Sequence, residues 1–171
     1  MPIHLKAPGY SSDQLYASVT RLLTATPLCS MATRSAAGVV DINTAFFAFS
    51  PDLDLYFLSH PGSAHCRNLG HVPEMALTVF ASDQAWGVPH SGLQLYGSGS
   101  RVPGAAVERA RAQYAARFPG YFDNVLRYGE DLEATAGLAG LVLYQFAPAR
   151  IKLLDEPEFG DEVFILIEVV R

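Results

Sequence analysis

The stretch from Leu58 to Leu69 carries the side chains best suited to bind an anion. A strand is expected to end there, His60-Pro61-Gly62 turns the chain, and Ser63 caps a short helix. The free N–H groups of such a helix start attract anions, and Arg67 and His65 would add charge-assisted donors one turn further on. We therefore expect a phosphate site. The alternative is that Ser63 only caps a solvated helix while Arg67 pairs with a carboxylate.

A second candidate is the polar loop from Asp83 to His90, which carries the only tryptophan of the chain, Trp86. A lone Trp in a loop can stack on a flat ligand or anchor a subunit interface, and it can equally fold over its own core. Gln94 follows in a strand of apolar and glycine residues. An inward-facing Gln needs a polar partner such as a bound heterocycle, whereas an outward-facing one needs none.

The histidines and cysteines between His60 and His71 do not form a metal motif, because their spacing matches no common zinc pattern. A single axial histidine for haem leaves almost no sequence signature, so haem stays open. No Gly-x-Ser-x-Gly elbow and no Gly-x-Gly-x-x-Gly loop follows a strand. Cys29 and Cys66 have no recognisable acid or base companions and are expected to be ordinary half-buried thiols. We predict no metal site and name no catalytic side chain.

The composition of the 171 residues limits the functions in which these side chains can take part. Half of the residues are apolar and 17% are charged, which excludes a disordered chain. A net charge of −5 without a basic run makes nucleic acid and anionic lipid poor partners. There is no secretory signal pattern, the longest apolar run is too short to cross a bilayer, and two cysteines suit a reducing compartment. We predict a single cytoplasmic domain over residues 1–171.

The elements that must position these residues are mostly strands. Residues 12–25 predict an amphipathic helix, and a second helix is expected from residue 103 to residue 118. The strand at 39–49 is apolar on both faces near its end, which predicts burial on both sides. Gly97 and Gly99 predict a bulge or a close backbone approach. Strands are predicted at 28–33, 39–49, 55–59, 75–81, 92–102, 138–146, 149–154 and 162–170, and a short helix at 63–70.

This order of elements favours one α+β domain, mainly β with inserted helices, built as a small and mostly antiparallel barrel. In sequence the segments resemble the pyridoxamine 5′-phosphate oxidase-like family of flavin-binding split barrels. The resemblance rests on the strand at Met31-Ala32-Thr33, the strand centred on Asn43-Thr44-Ala45, and the segment from Ser63 to Leu69, which is similar to the family's Ser/Thr-x-Lys-x-x-Asn-Leu. It covers residues 12–118 and more weakly the rest, and the stretch from Gly92 to Phe118 looks particularly like the family's branch of small bacterial proteins.

The resemblance implies a split β-barrel that forms a homodimer, with an FMN at each of two sites on the subunit interface. It also implies a role for eight residues by their position. The phosphate is expected near Ser63, His65 and Arg67, and the ribityl chain or the phosphate near Ser59. The edge of the flavin ring is expected near Asn43 and Thr44, and Trp86 and Gln94 are expected to close the site or to come from the neighbouring subunit.

Two departures from the family pattern bear on function. His65 stands where a phosphate-binding Lys is usual, which predicts weak flavin binding or none. The segment from Ile165 to Arg171 lacks the Arg-x-x-Pro ending of the true oxidase, so we do not expect pyridoxamine 5′-phosphate oxidase activity. The leading hypothesis is an FMN-dependent oxidoreductase of a small molecule. The alternative is a non-enzymatic protein of the same fold that binds haem, a deazaflavin or another cofactor, and a third reading is a dimer without ligand.

Overall fold

The computed structural model describes residues 3–120 and 140–171. The helices are α1 (Ser12–Ala25), α2 (Ala64–Leu69), α3 (Val107–Arg117), which a 3₁₀ turn at Gly104–Ala106 precedes, and α4 (Glu156–Phe159). None of these helices is long and apolar enough to cross a membrane. The strands are β1 (His4–Lys6), β2 (Leu28–Arg34), β3 (Val40–Phe49), β4 (Leu55–Ser59), β5 (Glu74–Val79), β6 (Ser91–Arg101), β7 (Val142–Asp155) and β8 (Phe164–Val170).

The strands form one sheet in the order β1-β8-β7-β4-β3-β2-β5-β6, and β7 pairs with β6 as well. This additional pairing closes β2 to β7 into a six-stranded barrel, while β8 and β1 continue outward from β7. The ladders are antiparallel. The predicted α+β split barrel is confirmed.

Closure of the barrel depends on β7. One edge of β7 pairs with β6, while the other pairs with β4 over residues 142–146 and then with β8 over residues 150–154. The sequence predicts two strands here, at 138–146 and 149–154, because Pro148 lacks an N–H and normally ends a strand. That prediction is wrong, since a register shift opposite Gly97 takes up the extra residue and the strand continues through Pro148. Residues 138 and 139 lie outside the described residues.

The close approach predicted at Gly97 and Gly99 is confirmed. A Cβ on Gly97 would lie 2.0 Å from the backbone oxygen of Ala147, and one on Gly99 would lie 2.4 Å from Sδ of Met75. The first contact is with backbone, which cannot rotate away as a side chain can. Gly97 therefore allows β6 and β7 to approach each other at the bulge.

The amphipathic helix predicted at residues 12–25 is confirmed as α1. Ser11 caps it by accepting a hydrogen bond from the backbone N–H of Gln14 at 3.2 Å. At the end of β7, the fully buried carboxylate of Asp155 accepts a hydrogen bond from Ser18 and pairs with Arg21, so it ties α1 to the barrel. The face of α1 that enters the barrel core consists of Leu15, Val19, Leu22 and Leu23.

One face of β3 is buried and the other is open. At the end of the strand Phe47 lies in the barrel core, and Ala48 belongs to a second cluster that includes α3. Nearer its start the outward side chains remain exposed: Val40 is 63% exposed, Ile42 78% and Phe46 53%. The predicted burial on both faces thus holds only at the end of the strand. Within the described residues Val40 and Ile42 remain uncovered, while the ring of Phe46 packs edge-on against that of Phe118 with 5.6 Å between the ring centres.

Candidate functional site

The residues expected to bind phosphate lie where β4 leads into α2. β4 ends at Ser59, and Ser63 is the residue that precedes α2. Ser63 occupies the N-cap position, but its side chain makes no capping hydrogen bond, so the predicted side-chain cap is wrong. α2 has only six residues. Because such a short helix aligns few peptide dipoles, side chains must supply most of any affinity for an anion.

Three polar side chains converge at this junction and form the Ser59–Ser63–His65 cluster. Nε2 of His65 lies 2.7 Å from Oγ of Ser59 and 3.2 Å from Oγ of Ser63, and the two hydroxyl oxygens are 3.2 Å apart. Ser59 is 9% exposed and His65 is 7% exposed. Each hydroxyl can turn to donate or to accept. The cluster therefore offers several rotatable donors to a group that brings acceptor oxygens.

Arg67 supplies a positive charge beside the cluster. Its side chain is exposed, and Nη1 donates a hydrogen bond to the backbone carbonyl of Gly62 in the preceding turn. Among residues 3–120 and 140–171 no carboxylate forms an ion pair with it. The alternative in which Arg67 serves only to neutralise a carboxylate therefore finds no support in this part of the chain.

Asn68 fixes α2 to the hairpin of β2 and β3. Its Nδ2 donates to Oγ1 of Thr33 at 3.1 Å and to Oδ2 of Asp41 at 2.8 Å. Asn68 and Thr33 are both buried. Because Asp41 lies on β3 just before Asn43, these bonds hold the cluster and the predicted ring-edge residues in one rigid frame.

The predicted ring-edge residues Asn43 and Thr44 are neighbours on β3. Thr44 is exposed, and its Oγ1 lies 3.2 Å from Oγ of Ser30 on β2. Asn43 is half-buried and pairs with Met31 in the register of the two strands. Successive side chains of a strand point to opposite faces. The two side chains therefore cannot both face one ligand, and one of the residues would have to contact it through its backbone.

Among the described residues, neither Trp86 nor Gln94 forms a hydrogen bond with the cluster. Trp86 is 97% exposed, so the reading in which it folds over its own core is wrong. Gln94 points outward from β6, and its Oε1 accepts a hydrogen bond from the hydroxyl of Tyr96 at 3.0 Å. The outward alternative for Gln94 is therefore correct.

Cys66 is a chemically distinctive residue that sequence reasoning missed. Burial raises the pKa of its thiol, but hydrogen bonds with the Ser59–Ser63–His65 cluster and with Tyr144 lower it, and the net pKa falls from 9.0 to about 7. Burial and the bond to Cys66 raise the pKa of Tyr144 to about 12. The prediction that neither cysteine has companions is therefore wrong for Cys66. Tyr144 comes from β7, far along the chain, so no local sequence signal could have revealed the pair.

Comparison with known proteins identifies the fold only. No protein-family profile matches the sequence, and no curated protein matches it. HutZ, the heme storage protein from Vibrio cholerae, has a TM-score of 0.59 at 18% identity, with 77% of this chain and 88% of that one covered. A heme binding protein from Mycobacterium smegmatis has a TM-score of 0.66 at 15% identity, with 90% and 57% covered. A protein from Clostridium acetobutylicum belongs to the pyridoxinephosphate oxidase family and is related to general stress protein 26. It has a TM-score of 0.60 at 11% identity, with 91% of this chain and 95% of that one covered.

These similarities define the class of fold. The chain has the split-barrel fold of pyridoxamine 5′-phosphate oxidase-like proteins, as the sequence motifs predict. At such low identities the likeness concerns the fold alone. Since the same fold carries heme-binding proteins and members of an oxidase family, the function has to be argued from the residues of this chain.

Proposed function

We propose that this protein is a homodimeric FMN-dependent oxidoreductase that acts on a small molecule. The observation that carries the proposal is the Ser59–Ser63–His65 cluster with Arg67 beside it, because its donors suit a phosphate monoester better than they suit a metal or an uncharged ligand. The eight residues named from the sequence remain the expected cofactor contacts.

The donor chemistry of the cluster fits a phosphate. In the cluster, the side chains of Ser59, Ser63 and His65 bond to one another at 2.7–3.2 Å. The two serine hydroxyls can turn away from these bonds and donate to the oxygens of an incoming phosphate. Arg67 would add a charge-assisted bond, which is about twice as strong as a neutral one. His65 stands where the family that the sequence resembles has a Lys, so Arg67 carries the permanent positive charge of the site. We therefore expect FMN to bind reversibly.

The flavin ring needs a flat apolar surface, and β3 offers one. Val40, Ile42 and Phe46 project outward from β3 and are more than half exposed. A second copy of the chain would cover this face, and Trp86 and Gln94 of that copy would be able to reach the ring. In this arrangement the homodimer is a condition for ring binding, because Trp86 is 97% exposed within one chain and Gln94 bonds there to Tyr96 rather than to the cluster.

Bound FMN would supply hydride exchange at its ring, and the protein would supply binding and orientation. Ser59, Ser63, His65 and Arg67 would hold the phosphate end in place. Asn68 would keep this end at a constant distance from β3, and the apolar face of β3 would exclude water from one side of the ring. No side chain of the chain is assigned a role in proton transfer.

Haem is the second candidate, because similar folds include heme-binding proteins. His65 fits poorly as an axial ligand, since its Nε2 is engaged by Ser59 at 2.7 Å and its ring is buried. These observations favour FMN over haem, and a deazaflavin with a phosphate group would use the same cluster.

The test is an absorption spectrum of the freshly purified protein followed by parallel titrations with FMN and riboflavin. Arg67→Ala should weaken FMN binding by about tenfold or more, because a charged hydrogen bond is lost, and should change riboflavin binding by less than about twofold. Arg109→Ala, which removes an exposed arginine from α3, is the matched control and should change neither.

Three outcomes would count against the proposal. Equal losses for FMN and riboflavin would show that Arg67 does not face the phosphate. A colourless protein that binds neither flavin would rule out the flavin function. A Soret band that appears with one haem per chain would support the haem alternative instead.

A further inference from the structure

The two lysines of the chain occur together in the structure, although they are far apart in sequence. Of the 12 basic Lys and Arg residues, only Lys6 and Lys152 are lysines. Lys6 lies on β1 and Lys152 on β7, and both line one cavity of about 590 Å³. None of the cofactor residues proposed above lines this cavity. We call it the lysine groove.

The register of the strands explains why the charges meet there. On one line across four strands, Tyr96 pairs with Arg150, Arg150 with Glu168, and Glu168 with Lys6. Paired residues project to the same face of a sheet, so Arg150 and Lys6 flank the single carboxylate between them. Lys152 lies on the next line that faces the same way, where it pairs with Leu166.

The groove combines this charge with apolar surface. Its floor is the backbone around Leu5, Ile151 and Ile167, whose side chains point into the barrel core and are each 1% exposed. The rings of Tyr10 and Tyr96 and the side chain of Leu166, which is 70% exposed, complete it. A cavity of this volume is within the usual range for small-molecule sites, about 300–1,000 Å³, which are mostly apolar with a few placed polar groups.

Two cations of the groove rest on aromatic rings. The guanidinium of Arg150 lies 5.5 Å from the centre of the Tyr96 ring, and the ammonium of Lys152 lies 4.3 Å from that of Phe164. These contacts already restrict the two long side chains, so less conformational entropy is lost when a ligand binds. Three cations against Glu168 leave the groove positive in a chain whose net charge is −5.

We propose that the lysine groove is a binding site for an amphipathic carboxylate, a small molecule with one carboxylate head and an elongated apolar body. The head would pair with Arg150 and with one or both lysines, and the body would lie along Tyr10, Tyr96 and Leu166. An uncharged molecule of the same shape would leave the cations unpaired, and a cationic one would be repelled. The proposal is independent of FMN binding.

The rarity of lysine provides a selective experiment. Reductive methylation of the full-length protein with isotope-labelled formaldehyde keeps the charge of each lysine and yields two ε-dimethylammonium NMR signals besides that of the N-terminus. Titration with decanoate should shift both lysine signals with one common, saturable dissociation constant. Decanol and decyltrimethylammonium at equal concentrations should shift them at least about tenfold less effectively.

Arg150→Gln tests the head contact and keeps both lysine reporters. It should weaken decanoate binding by about tenfold, since a charge-assisted bond is removed. Arg109→Gln removes an equal charge from the exposed side of α3 and should leave the affinity unchanged. An unchanged circular dichroism spectrum would confirm that Arg150→Gln is folded, and Lys6→Gln, read on the remaining Lys152 signal, is the second variant.

Shifts that never saturate, equal binding of decanol, or equal losses in Arg150→Gln and Arg109→Gln would each overturn the proposal. Failure of this experiment leaves FMN binding untouched, because that function is measured by flavin absorbance and rests on other residues.

Discussion

The two regions that sequence reasoning assigns to one cofactor site differ in how the chain prepares them. In the α2 region, from Ser59 to Leu69, polar side chains are buried and hydrogen-bonded, and Asn68 fixes the region to β2 and β3. In the loop between β5 and β6, Trp86 is 97% exposed. The first region is hydrogen-bonded within a single chain, whereas in the second no surface among the described residues covers the indole of Trp86.

This difference indicates that the two regions suit different parts of the proposed cofactor. A phosphate is recognised by a few short, directional bonds, which one rigid chain can supply by itself. A flat ring is recognised by area, and here much of the available apolar area lies on the outer face of β3 and in the exposed loop. We infer that the phosphate half of the proposed site is preorganised, whereas the ring half forms when two chains meet.

The largest expected effect comes from disrupting the outer face of β3, which the second chain of the proposed dimer would cover. Ile42→Lys places a charge in the centre of the exposed face of β3, where Ile42 is 78% exposed. Burying an unpaired ammonium costs several kcal/mol, so self-association should weaken by about a hundredfold or more while the fold of the chain is retained. Sedimentation velocity at a series of protein concentrations measures this. A variant as strongly dimeric as the wild type would mean that β3 does not form the interface.

A smaller effect, on the free energy of unfolding, is expected from removing the hydrogen bonds that fix the α2 region to β2 and β3. Asn68→Ala leaves Thr33 and Asp41 without their partner, and an unsatisfied buried polar group costs about 1–3 kcal/mol. Urea denaturation should show a loss of about 2 kcal/mol. Trp86→Ala is the matched comparison from the exposed loop and should change stability by no more than about 0.5 kcal/mol. Similar losses in both variants would contradict the contrast between the two regions.

The smallest expected effect concerns the pKa values of the two thiols. Hydrogen bonds with the cluster lower the pKa of Cys66 to about 7, while burial raises that of Cys29 to about 12. In Cys29→Ser, the ultraviolet absorbance of the thiolate should therefore rise with a midpoint near pH 7, and Ser59→Ala should move that midpoint upward. In Cys66→Ser no thiolate should appear near neutral pH.

The same thiol has a consequence for stability. Its pKa in the folded protein, about 7, lies below the ordinary thiol value of 9.0, so between these values the unfolded chain binds more protons than the folded one. Stability should therefore increase as the pH rises from 7 to 9. Denaturation of the wild type and of Cys66→Ser at these two pH values isolates the contribution, and an identical pH dependence in both would show that Cys66 does not cause it.

Much of the fold follows from periodicity in the sequence. The helical spacing of Leu15, Val19 and Leu22 predicts α1 with its observed ends, and alternating apolar residues predict β2 to β6 to within one or two residues. β1 was not predicted, because three residues are too short for a periodic signal. Pro148 led to two strands instead of one, since the bulge that accommodates it is created by Gly97 on another strand.

The candidate site was predictable where its residues are neighbours in sequence. Ser59, Ser63 and His65 lie within one short stretch, and the structure brings their side chains together. Tyr144 joins them from β7, which no local pattern can indicate. The position of Trp86 could not be predicted either, because periodicity along the sequence does not show whether a loop side chain packs inward or remains exposed.

The course of β7 has a consequence for how the protein is made. Until residues 142–155 have left the ribosome, β4 and β6 are the two edges of an open five-stranded sheet, because both pair with β7 in the finished barrel. Unpaired edges are templates for pairing with other chains. A nascent chain of this protein is thus most open to aggregation just before β7 emerges, and the pairing of this one strand removes both edges at once.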